Sequence, residues 1–402
     1  MKRLLKLPLS PAEFERRGVL PNSGIPHTIG VARPGIDLKL ELGGTIPKEA
    51  LHIEYSTWGD PSMPTIFLFP SMSNNCFPIP SPLVPLKEAP GWWNRVMGVG
   101  SEFGLDLNKF HVVVGAVLGA PFGSTSPLSL NPSTGKKYGS EFPKITPADM
   151  AKAQALLLDC LGIDRVDCVV GGSMGGMQSI QFACQFPDRY DKLISIASTA
   201  HTSPATVAIR SMQRVAVRAD PNFATEQYPT SGLRIARMIG TVAYRSRLEF
   251  DSRFNWLPRK ATGKFEVEEY LEKQADKFTE MVSYDADCYL LLSEAMDRMN
   301  IGVNGGFELG AARIPTDKQV MLLSYSTDVL TPPQDLERLS SVLGQRGVPV
   351  YYESINSLLG HDSFLAPGEA QPLVFRMREF LECCDLLGSV HRVRRLVQEM
   401  HG

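Results

Sequence analysis

No apolar run in the 402-residue chain approaches the roughly 18 residues needed to cross a bilayer, because Pro, Gly or a charged side chain interrupts every hydrophobic stretch. A membrane-spanning chain is excluded and a soluble one is expected. Charge of one sign is missing as well: 41 Lys and Arg stand against 43 Asp and Glu, a formal net charge of -2, so no broad positive field attracts nucleic acid or anionic lipid. Cysteine is sparse. The seven residues, at 76, 160, 168, 184, 288, 383 and 384, are odd in number and lack the paired short spacings of a zinc site, which leaves reduced thiols in a reducing compartment and implies no metal. Internal repeats and low-complexity tracts are also lacking. What remains, 43% hydrophobic, 21% charged and 8% aromatic, is the composition of a globular protein, at a length that fits one large domain with an insertion or two domains. The basic start, MKRLLKLPLS, bears a faint likeness to an organelle transit peptide but is broken by Pro8, so cytoplasm is the expected compartment and the mitochondrion the alternative.

Short β-rich runs bounded by turn residues predict strands at His52 to Trp58, Thr65 to Phe69, Val112 to Leu118, Val166 to Val170, Leu193 to Ala197, Val320 to Tyr325 and Val350 to Ile355. Most are continuously apolar, the pattern of strands buried on both faces. Helical stretches fall between several of them, notably Pro147 to Leu161, Gly175 to Phe186 and Pro333 to Leu343. The expected fold is therefore α/β, a mostly parallel sheet sandwiched by helices. The alternation stops after about Ala200 and resumes near Pro315, and the charged, strand-poor stretch between reads as an inserted helical cap. In it, Glu268 to Met281 has helical spacing, and Arg234 and Arg237 lie one turn apart. The expected division is an N-terminal extension with first strands at 1–50, core at 51–205, cap at 206–312, and core with a C-terminal helix at 313–402. Pro70 to Trp93 reads as an ordered loop over the sheet's edge, and HRVRR at 391–395 as part of a solvated or self-packing surface helix.

The stretch DCVVGGSMGGMQ, 167–178, carries the chemistry. An apolar strand runs into Gly171-x-Ser173-x-Gly175 and then a helix, the context of a nucleophile elbow, in which flanking glycines are needed because a Cβ would collide with adjacent strand or helix atoms. A serine hydroxyl needs a base, so a histidine oriented by a carboxylate should follow in the order Ser, acid, His. Asp328, in STDVLTPP, and His361, in LLGHDSFL, satisfy that order at C-terminal strand ends, with Asp335 as the fallback acid. Acyl transfer also needs donors for an oxyanion. The Met174 amide is one, and the loop Pro70 to Asn75 should supply the second, for which Met72 is chosen.

A triad does not say whether the acyl group goes to water or to another acceptor. From about Leu51 to Phe380, however, the chain resembles the homoserine O-acetyltransferase family of the α/β-hydrolase superfamily, through IEYSTWGD at 53–60, PGWW at 90–93, GSTSPLSLNPSTGKKYGSEFPKIT at 123–146, DMAKAQALLLDCLGI at 149–163, GGSMGGMQ at 171–178, DPNF at 220–223, GLRIAR at 232–237 and GHDSFL at 360–365. The resemblance implies the α/β-hydrolase fold, Ser173 as nucleophile with Asp328 and His361, and an amino-acid acceptor held by Arg237 and Asp362. A zwitterion needs a cation for its carboxylate and an anion for its ammonium, and arginine offers a planar fork. It further implies an acyl-CoA such as acetyl-CoA as co-substrate, no bound cofactor, a place in methionine or cysteine biosynthesis, and a homodimer through the cap, which the apolar stripes permit. The chain departs from the family at Pro70 to Asn75 and at Leu118 to Phe122, both around the acyl pocket. Serine in place of homoserine, succinyl in place of acetyl, an esterase or thioesterase, and a silent amino-acid-binding scaffold are the competing expectations.

Overall fold

The computed structural model describes residues 15–382 except 224, 226, 283, 303 and 304. The basic start, Cys383, Cys384 and the 391–395 cluster lie outside the described residues. Nine strands form one sheet in the order Arg16–Val19, Pro26–Ala32, Ile53–Trp58, His111–Gly115, Thr65–Phe69, Val166–Gly172, Tyr190–Ile196, Gln319–Tyr325 and Val350–Ile355. The first four are antiparallel neighbours; from His111–Gly115 onward every pairing is parallel. With helices on both faces, this is an α/β-hydrolase fold.

Side chains alternate across the sheet. Phe67, Phe69, Val113, Val169 and Leu193 face a cluster shared with α1 (Pro147–Cys160), α2 (Met174–Gln185) and cap residues such as Val217, Leu233 and Tyr284. Ile66, Leu68, Val112, Val114, Val170 and Ile194 face a second cluster. The segment after Phe69, expected over the sheet's edge, instead covers this second face: its Cys76, Phe77, Ile79 and Trp93 are buried there, where 25 cal/mol per Å² or so of apolar area favours a face over an edge.

Between the strands Tyr190–Ile196 and Gln319–Tyr325 come α3 (Pro204–Arg218), α4 (Thr230–Tyr244), α5 (Arg247–Arg253), α6 (Glu266–Asp276), α7 (Ala286–Asp297) and α8 (Phe307–Ala311). The helix expected over 268–281 begins earlier, at Glu266, and becomes π-helical at Lys277–Val282. Two strands, Arg16–Val19 and Pro26–Ala32, carry too few apolar residues to be located from pattern; the first is held by pairing with the second, and the second by pairing with Ile53–Trp58. Val350–Ile355, expected to be buried on both faces, is the sheet's edge and half-exposed along most of its length. α9 (Pro333–Gln345) and α10 (Ala370–Glu382) complete the layers. No helix among the described residues is long and apolar enough to cross a membrane.

Candidate active site

Ser173 stands where the central strand Val166–Gly172 gives way to α2, with φ 55° and ψ -123°. That conformation is uncommon for a residue with a side chain and costs on the order of 1–3 kcal/mol. The surroundings enforce it. The Ser173 amide donates to the Ile196 carbonyl at 2.9 Å, Ser198 donates to the Ser173 carbonyl at 2.8 Å, and Ser71 Oγ donates to the Gly172 carbonyl at 2.6 Å. A Cβ on Gly171 would come within 2.1 Å of the Gly175 carbonyl oxygen, and one on Gly175 within 2.1 Å of the Phe69 carbonyl oxygen. Both glycines are therefore required by backbone contacts, the reason anticipated for the Gly-x-Ser-x-Gly pattern.

Three segments far apart in sequence converge on the serine. His361 Nε2 lies 2.8 Å from Ser173 Oγ, and His361 Nδ1 lies 2.7 Å from Asp328 Oδ2. Ser173 is partly accessible, whereas His361 and Asp328 are buried. Burial by itself lowers the His361 pKa, but the charge of Asp328 and the hydrogen bond to it outweigh that, with a smaller push from Asp362, and hold the imidazole above its ordinary value. Asp335, the fallback acid, sits in the first turn of α9 and has no bond to His361. His27, His52 and His111 are held elsewhere, His27 against Trp58 with its ring bonded to Thr57 and Ser81, and among the described residues His361 is the histidine bonded to Ser173 Oγ.

Among the described residues, no acceptor is bonded to the Met174 or Met72 amide. Met174 is the first residue of α2, where free N–H groups and the helix dipole favour an anion. Met72 is fixed by its carbonyl, which accepts from the buried Tyr284 hydroxyl at 2.8 Å, and the preceding Pro70 carbonyl accepts from Gln178 at 3.0 Å.

Above the serine is a cavity of about 330 Å³, lined by Ser71, Met72, Ser173 and His361 from the core and by Arg210, Arg237, Tyr244 and Tyr289 from the cap. Arg237 and Asp362 both reach it. No carboxylate among the described residues pairs with Arg237, its Nε is buried without a hydrogen-bond partner, and its guanidinium lies 5.6 Å from the Tyr244 ring and 5.5 Å from the Phe278 ring. Arg234, one turn earlier, is the residue that forms a cap ion pair, with Asp276. Asp362 is 3.1 Å from Arg245 Nε, so it enters the cavity as one half of an ion pair.

Two lining groups, Arg210 and Arg245, and one group behind the lining, Tyr284, escape sequence reasoning. Arg210, 4% exposed, pairs with Asp297 at 2.8 Å, and the same carboxylate pairs with Arg214 at 2.6 Å. Two guanidiniums on one carboxylate, plus an unpaired Arg237, leave the cavity with surplus positive charge. The signal was present in α3, whose buried positions Thr206, Arg210 and Gln213 form a polar face at helical spacing. Arg245 meets Asp362 across 117 positions, and Tyr284 meets Met72 across 212, and neither pairing has a local pattern to announce it.

A family model described as the alpha/beta hydrolase fold matches residues 90–356. A serine O-succinyltransferase from Litchfieldella anticariensis is 36% identical over 349 residues, covering 83% of this chain and 93% of that protein. A homoserine O-acetyltransferase from Geotalea daltonii is 38% identical over 307 residues, covering 74% and 81%. Among solved structures, a homoserine O-acetyltransferase from Bacillus anthracis superposes with TM-score 0.78 at 22% identity over 89% of this chain and 98% of that one. Esterase E22 superposes with TM-score 0.76 at 23% identity, over 89% and 100%. These two structures speak for the fold.

Proposed function

The chain belongs to the α/β-hydrolase fold family, among the O-acyltransferases just described, and from that premise we propose that it transfers an acyl group from acyl-CoA to the side-chain hydroxyl of a small amino acid, homoserine with acetyl-CoA in the first instance. The observation that carries this reading is a serine 2.8 Å from its base, opening into a cavity that holds an unpaired arginine. A hydrolase needs no such cation; an amino-acid carboxylate does.

Ser173 Oγ attacks the thioester carbonyl while His361 Nε2 takes its proton. The Met174 and Met72 amides hold the oxyanion, and collapse expels CoA, whose sulfur takes the proton from His361. Asp328 keeps Nδ1–H directed at itself and stabilises the imidazolium. The acceptor hydroxyl then loses its proton to His361 and attacks the acyl-serine; breakdown releases the O-acyl amino acid and returns the proton to Ser173. Arg237 binds the acceptor carboxylate, and Asp362, held by Arg245, faces its ammonium. The cap formed by α3–α8 keeps water from the acyl-enzyme. No cofactor or metal takes part in this scheme. The setting proposed is amino-acid biosynthesis in the cytoplasm, as a homodimer through α3 and α4, which turn Met212, Val215, Ile235 and Val242 to the outside.

A second reading, serine as acceptor and succinyl-CoA as donor, is favoured by Arg210: a carboxylate at the far end of the acyl group would meet the surplus guanidinium, and the serine O-succinyltransferase relative matches the longer share of the chain. CoA release from acetyl-CoA and succinyl-CoA, each with homoserine, serine or no acceptor, decides between them. Release that depends on acceptor and is abolished by Ser173→Ala supports a transferase and names both substrates; release unchanged by any acceptor, with only free acid formed, refutes it.

A further inference from the structure

The acid of the site receives more hydrogen bonds than one histidine supplies. Asp328 Oδ1 accepts from the Leu330 amide at 2.8 Å and the Thr331 amide at 2.9 Å, while Oδ2 takes His361 at 2.7 Å and the Thr331 hydroxyl at 2.8 Å. Thr331 Oγ1 also lies 3.2 Å from His361 Nδ1. With Nε2 facing the serine as acceptor, Nδ1 carries the ring proton and directs it to Asp328, so the threonine proton can go only to Oδ2, and its oxygen lone pair faces the same Nδ1–H as a second, longer acceptor. Thr331 is itself 2% exposed. Its loop is tied to the cap, because Thr206 of α3 donates to the Leu330 carbonyl at 2.8 Å.

We propose that Thr331 is a positioning residue, whose hydroxyl fixes the Asp328 carboxylate plane against His361 and shares the Nδ1 proton as the imidazolium forms. The inference rests on the Ser173–His361–Asp328 reading above. Thr331 touches neither Ser173 nor the cavity, so it acts only through the acid and the base. Two consequences follow from its place. A donor removed from Oδ2 leaves more of that oxygen's negative charge to face Nδ1, so the imidazolium is bound more tightly by charge even as its orientation loosens. The charged groups that bear on His361 otherwise, Asp328, Asp362 and Arg210, stay as they are, as does the Tyr244 ring 6.1 Å away.

The test uses Thr331→Val, close to isosteric, and Thr331→Ser, in the full-length protein, with kcat/KM for CoA release measured across pH and Tm measured in parallel. The expected result is a loss of about fivefold to tenfold in kcat/KM for Val, an acid limb displaced to higher pH, and recovery of both by Ser. A loss with an unmoved acid limb, or a Ser variant no better than Val, overturns the proposal and makes the residue a structural one. Unchanged kcat/KM in Val overturns it directly. Ser173→Ala in the same assay separates the two levels: an inactive Ser173→Ala with a wild-type Thr331→Val removes this inference alone, whereas an active Ser173→Ala removes the triad reading and this inference with it.

Discussion

Gly175→Ala is the sharpest perturbation the elbow offers. The added methyl would sit 2.1 Å from the Phe69 carbonyl oxygen and 3.2 Å from that of Pro70. A carbon–oxygen contact normally rests near about 3.3 Å, so the end of the strand Thr65–Phe69 must retreat by roughly 1 Å or α2 must lift by as much. Both partners are backbone in a nine-stranded sheet, and neither gives way as the tip of a flexible side chain would. Overpacking of this kind costs about 1–3 kcal/mol. The larger consequence is chemical, since Phe69 leads directly into the loop that presents the Met72 amide, and a displacement near 1 Å costs on the order of 100-fold in rate. Gly344→Ala is the control. It lies in α9 at ordinary helical φ with nothing within 4 Å of the new Cβ, and should gain about 0.5–1 kcal/mol. Thermal denaturation and kcat, measured on both variants, give the comparison. Wild-type kcat and Tm in Gly175→Ala would refute the claim that backbone contacts demand a glycine at this position.

Other outcomes follow from the same geometry. Arg237→Met should lower kcat/KM for the amino-acid acceptor by roughly 10- to 100-fold, the worth of a charged hydrogen-bonded contact, and Arg237→Lys should recover little of it for want of a planar fork; equal rates in Lys and Arg enzymes contradict this. Tyr284→Phe removes the hydroxyl that holds the Met72 carbonyl and should cost about 1 kcal/mol in stability with a severalfold fall in kcat, read by denaturant unfolding and CoA release. Because His361 is held above 6.5, its basic form fills only above that pH, so the acid limb of kcat/KM should lie above 6.5, and a limb at or below it refutes the shift. The same raised value favours the protonated fold: its contribution to stability is complete below 6.5 and lost as pH rises through the folded value. The Tm advantage of wild type over His361→Gln should therefore shrink toward alkaline pH.

The convergence of Ser173, Asp328 and His361 was readable because its signals are local. Glycines at 171 and 175 report a backbone requirement, and Asp328 and His361 each follow an apolar strand, which puts them at one edge of a parallel sheet with Ser173. The seven strands from Ile53 onward were located for a similar reason, their apolar runs being long enough to stand out. Arg16–Val19 and Pro26–Ala32 were not, since RRGV and PHTIGVA owe their extended form to partners rather than to composition. Arg210 was missed because a buried arginine on a helix resembles a surface one until the face opposite is seen to be apolar. The covering of the second sheet face by residues 76–93 was missed because Pro and Ser between Phe77, Ile79 and Trp93 hide the fact that those three side chains are core.

The elbow is held by main-chain contacts, by two serine hydroxyls that donate to its carbonyls, and by the absence of side chains at two glycines. Ser71, Ser198 and the two glycines fix where Ser173 points without specifying what lies across the cavity from it. The position of Ser173 and the walls of the cavity above it thus rest on different residues. Positions such as Ser73 and Asn74, and the inward face of α3, can change without touching the contacts that hold Ser173 in register. A wall altered in this way changes what the cavity can hold, while the backbone contacts that aim Ser173 stay as they are.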